Sequence, residues 1–261
     1  MNPYLKNLSR IEFVVTMACT GQCKHCSQGE HRSSGSIDKA LAVDAVRKIA
    51  DEYKINSLMT FGGEPLLYPD TVCAIHKAAT EVNIPHRQLI TNGFFSKDSA
   101  RIKEVALCLA ESGVNDILLS VDAFHQETIP LEYIKAFAEV VKTTGINIKA
   151  HPAWLVSADD DNPYNIRTRE ILMEFADMGI SANEGNIIFP AGNALKYLGD
   201  YLKPIAENEN PYWEDPSDIH AICFSANGDI LGSNIYKKDI IDILSCYKPK
   251  KRLFSKKRHI L

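Results

Sequence analysis

Apolar and polar positions alternate between two patterns from the start of the chain to Phe189. Short runs rich in β-branched residues predict strands, and longer segments with apolar residues at helical spacing predict helices. Glycine or asparagine follows several of these segments and marks where they end. The predicted strands are Ile11–Met17, Ser57–Phe61, Arg87–Thr91, Asp116–Val121, Asn147–His151 and Asn186–Phe189. The predicted helices are Lys39–Tyr53, Asp70–Val82, Lys97–Ser112, Leu131–Thr144 and Arg167–Met178.

The regular alternation of strand and helix predicts an α/β fold built on a parallel sheet with helical crossovers. Such a sheet is either doubly wound, with helices on both faces, or curved into a full or partial barrel. The short strands and short connections are compatible with both forms. The periodicity alone does not distinguish the two.

The pattern changes in the last part of the chain. Ala221–Ser225 and Asp229–Gly232 flank an Asn-Gly pair and predict a small hairpin, and Asp239–Ser245 predicts a short helix. We therefore expect one large unit over residues 1–203 and a hairpin–helix extension over residues 204–261.

Composition and charge exclude several classes of protein. The 261 residues are 45% hydrophobic and 24% charged, which favours a folded core without disulfide or metal staples. A net charge of -4 gives no support to a nucleic-acid partner. No apolar run is long enough for a membrane span, and the N-terminal segment does not have the pattern of a signal peptide. We expect a soluble, cytoplasmic protein with no membrane partner.

The charge is unevenly distributed. Residues 247–261 carry seven Lys and Arg and no acidic residue, whereas residues 1–246 carry 22 basic and 33 acidic residues, a net charge of -11. The basic tail is interpreted as a solvated chain end, with attraction of an acidic peptide or a phosphorylated small molecule as the alternative.

Three of the seven cysteines, Cys19, Cys23 and Cys26, lie together in the polar loop after the first strand. In parallel α/β folds, functional sites gather at the carboxyl ends of the strands. Three thiolates on one loop can hold three irons of a 4Fe–4S cluster and leave the fourth iron open to a ligand. Cys73 and Cys108 fall on apolar helix faces and are predicted to be core residues.

Two other uses of the clustered cysteines remain open. A zinc site could use Cys23 and Cys26 with Cys19 or His25, although the second half of the usual paired zinc motif is missing. Cys23 and Cys26 could also form a thioredoxin-type redox pair, which would not require Cys19.

The spacing Cys19-x-x-x-Cys23-x-x-Cys26, with His25 before the last cysteine, resembles the radical S-adenosylmethionine (SAM) superfamily. Three further motifs occur in the order typical of that family. Gly62-Gly63-Glu64-Pro65, Thr91-Asn92-Gly93 and Ser120-Val121-Asp122 end the second, third and fourth strands. The resemblance covers about residues 11–200.

The resemblance implies a partial (β/α)6 TIM-like barrel. It also implies a 4Fe–4S cluster on the three cysteines, which binds SAM and cleaves it reductively to a 5′-deoxyadenosyl radical that takes hydrogen from a substrate. A one-electron donor such as flavodoxin or ferredoxin would reduce the cluster. The implied SAM-binding residues are His25, Gly62, Gly63, Glu64, Pro65, Asn92, Ser120, Asp122, His151 and Pro190. Apart from the resemblance, the chemistry of these residues suits a ligand site. The paired glycines allow a polar ligand to approach the backbone, and Glu64 can accept a hydrogen bond from an ammonium group.

The C-terminal extension resembles the SPASM or twitch extensions, which hold auxiliary iron–sulfur clusters. Ser233 stands where a ligand cysteine often occurs, and only Cys223 and Cys246 remain. Two thiolates cannot close a cluster by themselves, so we predict an extension without an auxiliary cluster.

The substrate is expected to be a peptide, by analogy with other proteins that carry such extensions. A small-molecule substrate is the alternative within the same class. A non-catalytic iron–sulfur or zinc protein, such as a sensor or scaffold, is the alternative from another class. The intact motifs after strands two, three and four argue against it, because a cluster holder does not need a SAM pocket.

Overall fold

The computed structural model describes residues 2–29, 34–202 and 214–249. Its main sheet has six parallel strands in the order β5-β4-β3-β2-β1-β8. The strands of this sheet are β1 (Arg10–Val14), β2 (Ser57–Phe61), β3 (His86–Thr91), β4 (Asp116–Ser120), β5 (Asn147–His151) and β8 (Ala221–Phe224). The helices are α1 (Lys39–Glu52), α2 (Pro69–Glu81), α3 (Ser99–Glu111), α4 (Ala123–Gln126), α5 (Leu131–Thr144), α6 (Pro163–Asp177), α7 (Asn193–Tyr197) and α8 (Ile240–Cys246). Four two-residue strands complete the description: β6 (Ala153–Trp154), β7 (Asn186–Ile187), β9 (Asp229–Ile230) and β10 (Ser233–Asn234).

The order of the first five strands decides between the two forms of α/β sheet. Each new strand is added on the same side of the one before it, without the reversal of order that a doubly wound sheet requires. Because strand–helix–strand connections are right-handed, the crossover helices all lie on one face. They pack on the buried side chains of that face, such as Ile11, Leu89 and Ile117. Among the described residues the opposite face carries no crossover helix, so the predicted partial barrel is confirmed, and the sheet is not closed into a full barrel.

Side-chain caps set the helix boundaries. The carboxylate of Asp38 accepts a hydrogen bond from the Leu41 amide and begins α1, and Asn162 does the same for α6. The Asn162 cap and the proline after it start α6 at Pro163, four residues before the predicted start. Gly145, in the left-handed conformation, ends α5 at the predicted residue.

The sixth predicted strand, residues 186–189, does not join the main sheet. Only the two residues of β7 are extended, and they pair in parallel with β6 to form a separate two-stranded sheet. The predicted first strand is also shorter than expected: β1 ends at Val14, and Thr16 forms an isolated bridge with Ser36 instead. Both differences place irregular backbone at the carboxyl edge of the sheet, where the polar motifs lie.

The predicted hairpin in the extension is wrong in one of its two strands. β8 does not pair with the next strand but runs parallel to β1, with Ile11 opposite Ile222 and Phe13 opposite Phe224. The Phe13 and Phe224 rings stack with their centroids 4.6 Å apart, which buries both at this edge of the core. The hairpin that does form is the short β9–β10 pair.

The extension is attached to the main unit on two sides. β8 extends the sheet, and α8 packs against α1 at a point where Lys48 and Asp239 form an ion pair. The predicted unit boundary at 203/204 lies outside the described residues, as do residues 250–261 of the basic tail. In the described ranges, no helix combines the length and the apolar character needed to cross a membrane.

A buried histidine beneath the sheet makes the stability of the fold depend on pH. His76 on α2 is fully buried, with Nε2 2.9 Å from the Thr60 hydroxyl and with no described partner for Nδ1. Burial, followed by the charge of Arg87, lowers the pKa of His76 to about 3. In the unfolded chain this pKa is about 6.5, so the unfolded state binds the proton more tightly. The contribution of His76 to stability is therefore complete above about pH 6.5 and is lost as the pH falls towards 3.

We expect the His76→Gln variant to lose less stability on acidification than the parent chain. Between pH 8 and pH 5 the difference should be about 2 kcal/mol, because glutamine does not titrate but can still reach Thr60. Urea unfolding of the metal-free chain at both pH values measures it. Glu64, whose raised pKa acts in the opposite direction, contributes equally to both proteins. Equal losses in the two proteins would contradict this assignment.

Candidate functional site

The three clustered cysteines lie in the loop between β1 and α1, at the carboxyl edge of the sheet. Cys23 is buried and Cys19 and Cys26 are half-buried. The loop bends closely over itself at Gly21, where a Cβ atom would lie 3.2 Å from the Cys23 sulfur and 2.9 Å from the Ile129 side chain. The sulfurs are therefore held inside the molecule by a short, tightly packed segment.

Electrostatics disfavour three bare thiolates in this loop. Burial is the largest cause of the raised pKa of each thiol, and it raises the pKa of Cys19 to about 11. The pKa of Cys23 is raised further, by burial first and then by the charges of Asp122 and the other two cysteines. Deprotonation of all three thiols therefore requires a compensating positive charge, such as a metal centre.

Asn92, after β3, holds the start of the cysteine loop. Its side-chain Nδ2 donates to the Cys19 sulfur at 3.6 Å and to the Thr20 hydroxyl at 3.2 Å. Its Oδ1 accepts from the Phe94 amide, which fixes the orientation of the side-chain amide. The structure thus brings the Thr-Asn-Gly motif into direct contact with the first cysteine.

The two glycines after β2 lie against the chain that leads into the cysteine loop. The Gly63 amide donates to the Thr16 carbonyl at 2.8 Å, and the Glu64 amide donates to the Ala18 carbonyl at 2.7 Å. A Cβ atom on Gly63 would lie 2.1 Å from the Ala18 oxygen, and one on Gly62 would lie 2.4 Å from the Thr16 oxygen. In the structure the group that approaches these two glycines is the protein backbone, and their predicted contact with SAM stays a prediction.

Glu64 connects the ends of β2 and β3. Its carboxylate is fully buried and accepts hydrogen bonds from the Leu66 amide, the Thr91 hydroxyl and the Asn92 amide, at 2.9, 2.6 and 2.8 Å. Burial raises the pKa of Glu64 to about 7, and these three donors oppose the rise. Its side chain therefore positions Asn92, a role that the sequence did not reveal; its contact with SAM stays a prediction.

Asp122, after β4, forms the centre of a second polar cluster. It is fully buried, its Oδ2 lies 2.8 Å from His125 Nδ1 and accepts from the Ala153 amide, and its Oδ1 accepts from the His125 amide. Burial alone would raise the pKa of Asp122, but the charge and hydrogen bonds of His125 outweigh it and hold the pKa well below its usual range. Asp122 orients His125 and joins β4 to β6.

His25 packs into this second cluster. Its ring lies 5.1 Å from the Phe124 ring and 4.6 Å from the His125 ring, measured between centroids. Burial, together with the charge of His125, lowers the pKa of His25 to about 4, so the imidazole is neutral near pH 7. Its buried Nδ1 has no hydrogen-bond partner in the described structure. His25 therefore has neighbours on the β4–α4 turn, a placement that the motif spacing did not reveal.

His151 and Ser120 lie side by side at the carboxyl ends of β5 and β4. Both ring nitrogens of His151 have protein partners, with Nδ1 2.9 Å from the Asn183 side-chain oxygen and Nε2 2.8 Å from the Asn186 side-chain nitrogen. The structure thus places both predicted site residues at the right edge of the sheet, with the His151 ring already fixed by two asparagines.

The segment around Pro190 covers the cysteine loop. The Asn193 amide donates to the Cys26 carbonyl at 2.9 Å, and its side chain donates to the Cys23 carbonyl at 3.2 Å. On the other side, the Thr128 hydroxyl accepts from the Gln22 amide at 3.1 Å. Thr128 belongs to no predicted site motif, because its role arises only from long-range packing, whereas the sequence already placed Asn193 in the candidate site segment around Pro190.

The helix-free face of the sheet, called here the open face, has a polar floor at the amino ends of the strands. Asn147 and Gln88 both donate to the Asp116 carboxylate, at 2.6 and 2.8 Å. Arg10 donates to the Gln88 oxygen at 3.2 Å and pairs with Glu12 at 2.6 Å. These contacts form one hydrogen-bonded row across the sheet.

The next layer of the open face, towards the cysteine loop, is apolar except for one lysine. Val14 lies beside Phe61, and Leu118 lies between Ile90 and Lys149. Lys149 is half-buried and makes no hydrogen bond or ion pair within the described ranges. The open face therefore has a polar row at the amino ends of its strands, an apolar layer next to that row, and one lysine without a described partner.

The donor set at the cysteine loop fits an iron–sulfur cluster with one open iron. Three sulfurs come from one short loop, and the remaining cysteines lie on other elements, namely α2, α3, β8 and α8. The Cys19 sulfur already receives a hydrogen bond from Asn92, as cluster sulfurs commonly do. His25, the nearest imidazole in the sequence, packs on Phe124 and His125 instead, which disfavours a zinc site of three sulfurs and one histidine.

The sequence signature of the Radical SAM superfamily matches residues 13–151, more than half of the chain. The chain therefore belongs to the Radical SAM superfamily. The cofactors of this family are a 4Fe–4S cluster and SAM, and the matched range contains the three cysteines and the three motifs that follow β2, β3 and β4.

Curated relatives include a probable GTP 3′,8-cyclase from Saccharolobus islandicus. The two sequences are 25% identical over 213 residues, which cover 76% of this chain and 66% of the relative. This chain thus spans slightly less than two thirds of the length of that relative.

Solved structures with a similar fold include Streptococcus suis SuiB bound to S-adenosylmethionine. That match has a TM-score of 0.59 at 15% identity and covers 93% of this chain and 66% of SuiB. Native anSMEcpe with bound AdoMet and Cp18Cys peptide matches with a TM-score of 0.55 at 14% identity, over 89% of this chain and 75% of that one. At these identities the similarity establishes the fold.

Proposed function

We propose that this chain is a radical SAM enzyme that cleaves SAM reductively and uses the resulting radical to take a hydrogen atom from a substrate. The observation that carries the proposal is the placement of three cysteines, one buried and two half-buried, beside Asn92 and Glu64 at the carboxyl edge of the sheet. Cys19, Cys23 and Cys26 would hold the 4Fe–4S cluster. When bound and reduced, the cluster supplies the single electron that cleaves the sulfonium of SAM to methionine and a 5′-deoxyadenosyl radical.

The residues around the cysteines supply positioning and exclusion of water. Glu64 fixes Asn92, and Asn92 in turn fixes the loop through Cys19 and Thr20. Asn193 covers the loop from outside through the carbonyls of Cys23 and Cys26. Such a preformed shell keeps the reacting atoms in one geometry and limits the access of solvent to the radical.

The test of this activity is anaerobic reconstitution of the full chain with iron and sulfide. We expect about four irons per chain, a cluster count near one, and 5′-deoxyadenosine that forms only with both SAM and a reductant. A reconstituted chain that binds the cluster but never cleaves SAM would support the sensor or scaffold alternative. About eight irons per chain would instead contradict the predicted absence of an auxiliary cluster.

Asn92→Ala should shift the cluster potential without removing the cluster. Hydrogen bonds to cluster sulfurs raise the reduction potential, so the loss of the Nδ2 contact with Cys19 should lower the midpoint by tens of millivolts. A redox titration followed by electron paramagnetic resonance measures the shift, with iron content as the control. An unchanged midpoint at full iron content would contradict the contact.

A peptide is the substrate class that we propose first. Four exposed apolar or tyrosine side chains, called here the rim, lie close in the sequence to Asn193, which covers the cysteine loop: Ile187, Leu195, Tyr197 and Tyr201. An extended apolar rim of this kind suits a chain-like substrate better than a small metabolite. The solved structure of anSMEcpe, which has a similar fold, contains a bound Cp18Cys peptide.

Peptides encoded beside the gene provide the substrate test. A true substrate should stimulate 5′-deoxyadenosine formation and change in mass after incubation. The Leu195→Ser, Tyr197→Ser double variant should lose most of the stimulation and keep the basal cleavage of SAM. Stimulation that survives in this variant would contradict the rim as the binding surface.

A phosphate-bearing small molecule is the second candidate substrate. Lys149 on the open face is a cation without a described partner, two residues before His151 on the same strand, and a curated relative is named a probable GTP 3′,8-cyclase. If GTP stimulates SAM cleavage, Lys149→Met should raise the apparent KM for GTP about tenfold or more, because a charged hydrogen bond is lost. Basal cleavage should not change. If GTP does not stimulate SAM cleavage, GTP is excluded as the substrate.

A further inference from the structure

Two cysteines outside the candidate site are in direct contact. Cys73 on α2 and Cys108 on α3 are both free thiols, and their sulfurs lie 2.8 Å apart. Heavy atoms that are not bonded usually keep a distance of about 3.5–4.0 Å. The prediction of a core residue is confirmed for Cys73, whereas Cys108 is half-buried and packs against the core. Packing alone does not account for two sulfurs at this separation.

The two thiols differ in access to solvent. Cys73 is 7% exposed, whereas Cys108 is half-buried. Burial is the largest cause that raises the pKa of Cys73 to about 12, followed by the hydrogen bond and charge of Cys108. An oxidant dissolved in water therefore reacts with Cys108 first, and Cys73 is in contact with it as the second thiol. This asymmetry is the arrangement of an attacking and a resolving cysteine.

The pair lies on the helical side of the sheet, away from the cysteine loop. α2 follows the strand that ends at the Gly62-Gly63-Glu64 segment, and α3 follows the strand that ends at Thr91-Asn92. A disulfide between α2 and α3 would therefore connect the two strand–helix units in which Glu64 and Asn92 follow the strands. It would not involve any of the three cysteines that we assign to the cluster.

We propose that Cys73 and Cys108 form a reversible disulfide when the chain meets hydrogen peroxide. The Cys108 thiolate attacks one peroxide oxygen, so an S–O bond forms, the O–O bond breaks and hydroxide leaves. The Cys73 sulfur then displaces that oxygen, so the S–S bond forms, the S–O bond breaks and the oxygen leaves as water. Two thiols lose two electrons and two protons, and one peroxide becomes two waters. Contact between the sulfurs makes the second step intramolecular and fast.

The bond would act as a clamp on the scaffold of the site. The two cysteines are 35 positions apart, so the bond closes a loop that contains all of β3 and restricts the unfolded chain. Under oxidising conditions the disulfide would hold α2 and α3 together. The two strand ends that position Glu64 and Asn92 would then keep their arrangement while the same oxidant reaches the thiols of the cysteine loop.

Mass spectrometry of the reconstituted full chain after brief treatment with hydrogen peroxide tests the proposal. Trypsin releases Cys73 in the peptide of residues 55–77 and Cys108 in the peptide of residues 104–135, and neither peptide contains another cysteine. We expect these two peptides to be linked to each other in most chains, and to separate after dithiothreitol. The matched control Cys246→Ser removes an exposed cysteine elsewhere and should leave the link intact.

Cys108→Ser should abolish the link and leave Cys73 reduced. Sulfinic or sulfonic acid on Cys108 without a link, or links from either peptide to residues 11–32, would overturn the proposal. A second measurement does not depend on the variants: the oxidised metal-free chain should melt roughly 5–15 °C above the reduced chain. An equal or lower melting temperature at full linkage would overturn the clamp.

Discussion

Replacement of Cys23 by alanine is expected to give a folded chain that neither holds iron nor cleaves SAM. Cys23 is the most buried of the three clustered cysteines, and its sulfur is packed beneath Gly21. Without it, two thiols remain on the loop, and two sulfurs cannot hold a cluster with one open iron. Iron should fall from about four per chain to a trace, and 5′-deoxyadenosine formation should fall by roughly a thousandfold or more.

Cys246→Ala is the matched control for this experiment. Cys246 is an exposed free thiol at the end of α8, and the cluster-free interpretation of the extension assigns it no metal. This variant should keep about four irons and full activity. Loss of iron in Cys246→Ala would show that the extension holds metal, and retention of iron in Cys23→Ala would reject the three-cysteine assignment.

The alternatives that the sequence left open for the three cysteines differ in their metal and sulfide content. A zinc site would bind zinc but would not require sulfide, and a redox pair of Cys23 and Cys26 would bind neither metal. Metal and sulfide analysis of the parent chain decides among the three.

Local signals in the sequence were sufficient for most of the main sheet and its helices. α5 has the predicted bounds because helical spacing and the Gly145 end are properties of a short window. The pairing of β8 was predicted wrongly because its partner β1 is more than two hundred positions away, and an Asn-Gly turn predicts pairing only between the segments that flank it. The length of β7 was overestimated because it depends on a distant partner, β6, which has only two residues.

The site shows the same division between local and long-range information. Adjacent parallel strands end at one edge, so the motifs after β2 and β3 could be expected to meet there. The use of each side chain could not be expected, because it depends on groups from other elements. Glu64 accepts three donors from two segments, and Asp122 orients His125. A motif predicts where a residue lies but not which partners the fold supplies.

Gly63→Ala is expected to have the second largest effect, and it acts without removing any ligand. The new Cβ would lie 2.1 Å from the Ala18 oxygen, 2.7 Å from the Ala18 carbon and 2.9 Å from the Met17 oxygen. All three are backbone atoms, so no side chain can turn away to relieve the clash. The strand end must move, and the hydrogen bonds to the Thr16 and Ala18 carbonyls are lost. We expect a cost of about 3–5 kcal/mol in the free energy of unfolding.

Gly35→Ala is the control, because no atom of the described residues lies within 4 Å of its Cβ position. Its stability should stay within about 0.5 kcal/mol of the parent chain. Urea unfolding of the metal-free proteins gives both values. If Gly63→Ala unfolds at the same urea concentration as Gly35→Ala, the close approach between the β2 end and the cysteine loop is wrong.

The rate of SAM cleavage in three glycine-to-alanine variants should decrease with the severity of the clash that each new Cβ atom makes. Gly63→Ala and Gly62→Ala meet backbone oxygens at 2.1 and 2.4 Å, whereas Gly21→Ala first meets the end of the Ile129 side chain at 2.9 Å, which can shift. A displacement of the cysteine loop by about 1 Å can cost a hundredfold in rate, so the first two variants should lose most SAM cleavage at temperatures where they remain folded. Gly21→Ala should keep most of its iron and activity. The reverse order would mean that the glycines after β2 serve a bound ligand, as the sequence first suggested, rather than the contact with the loop.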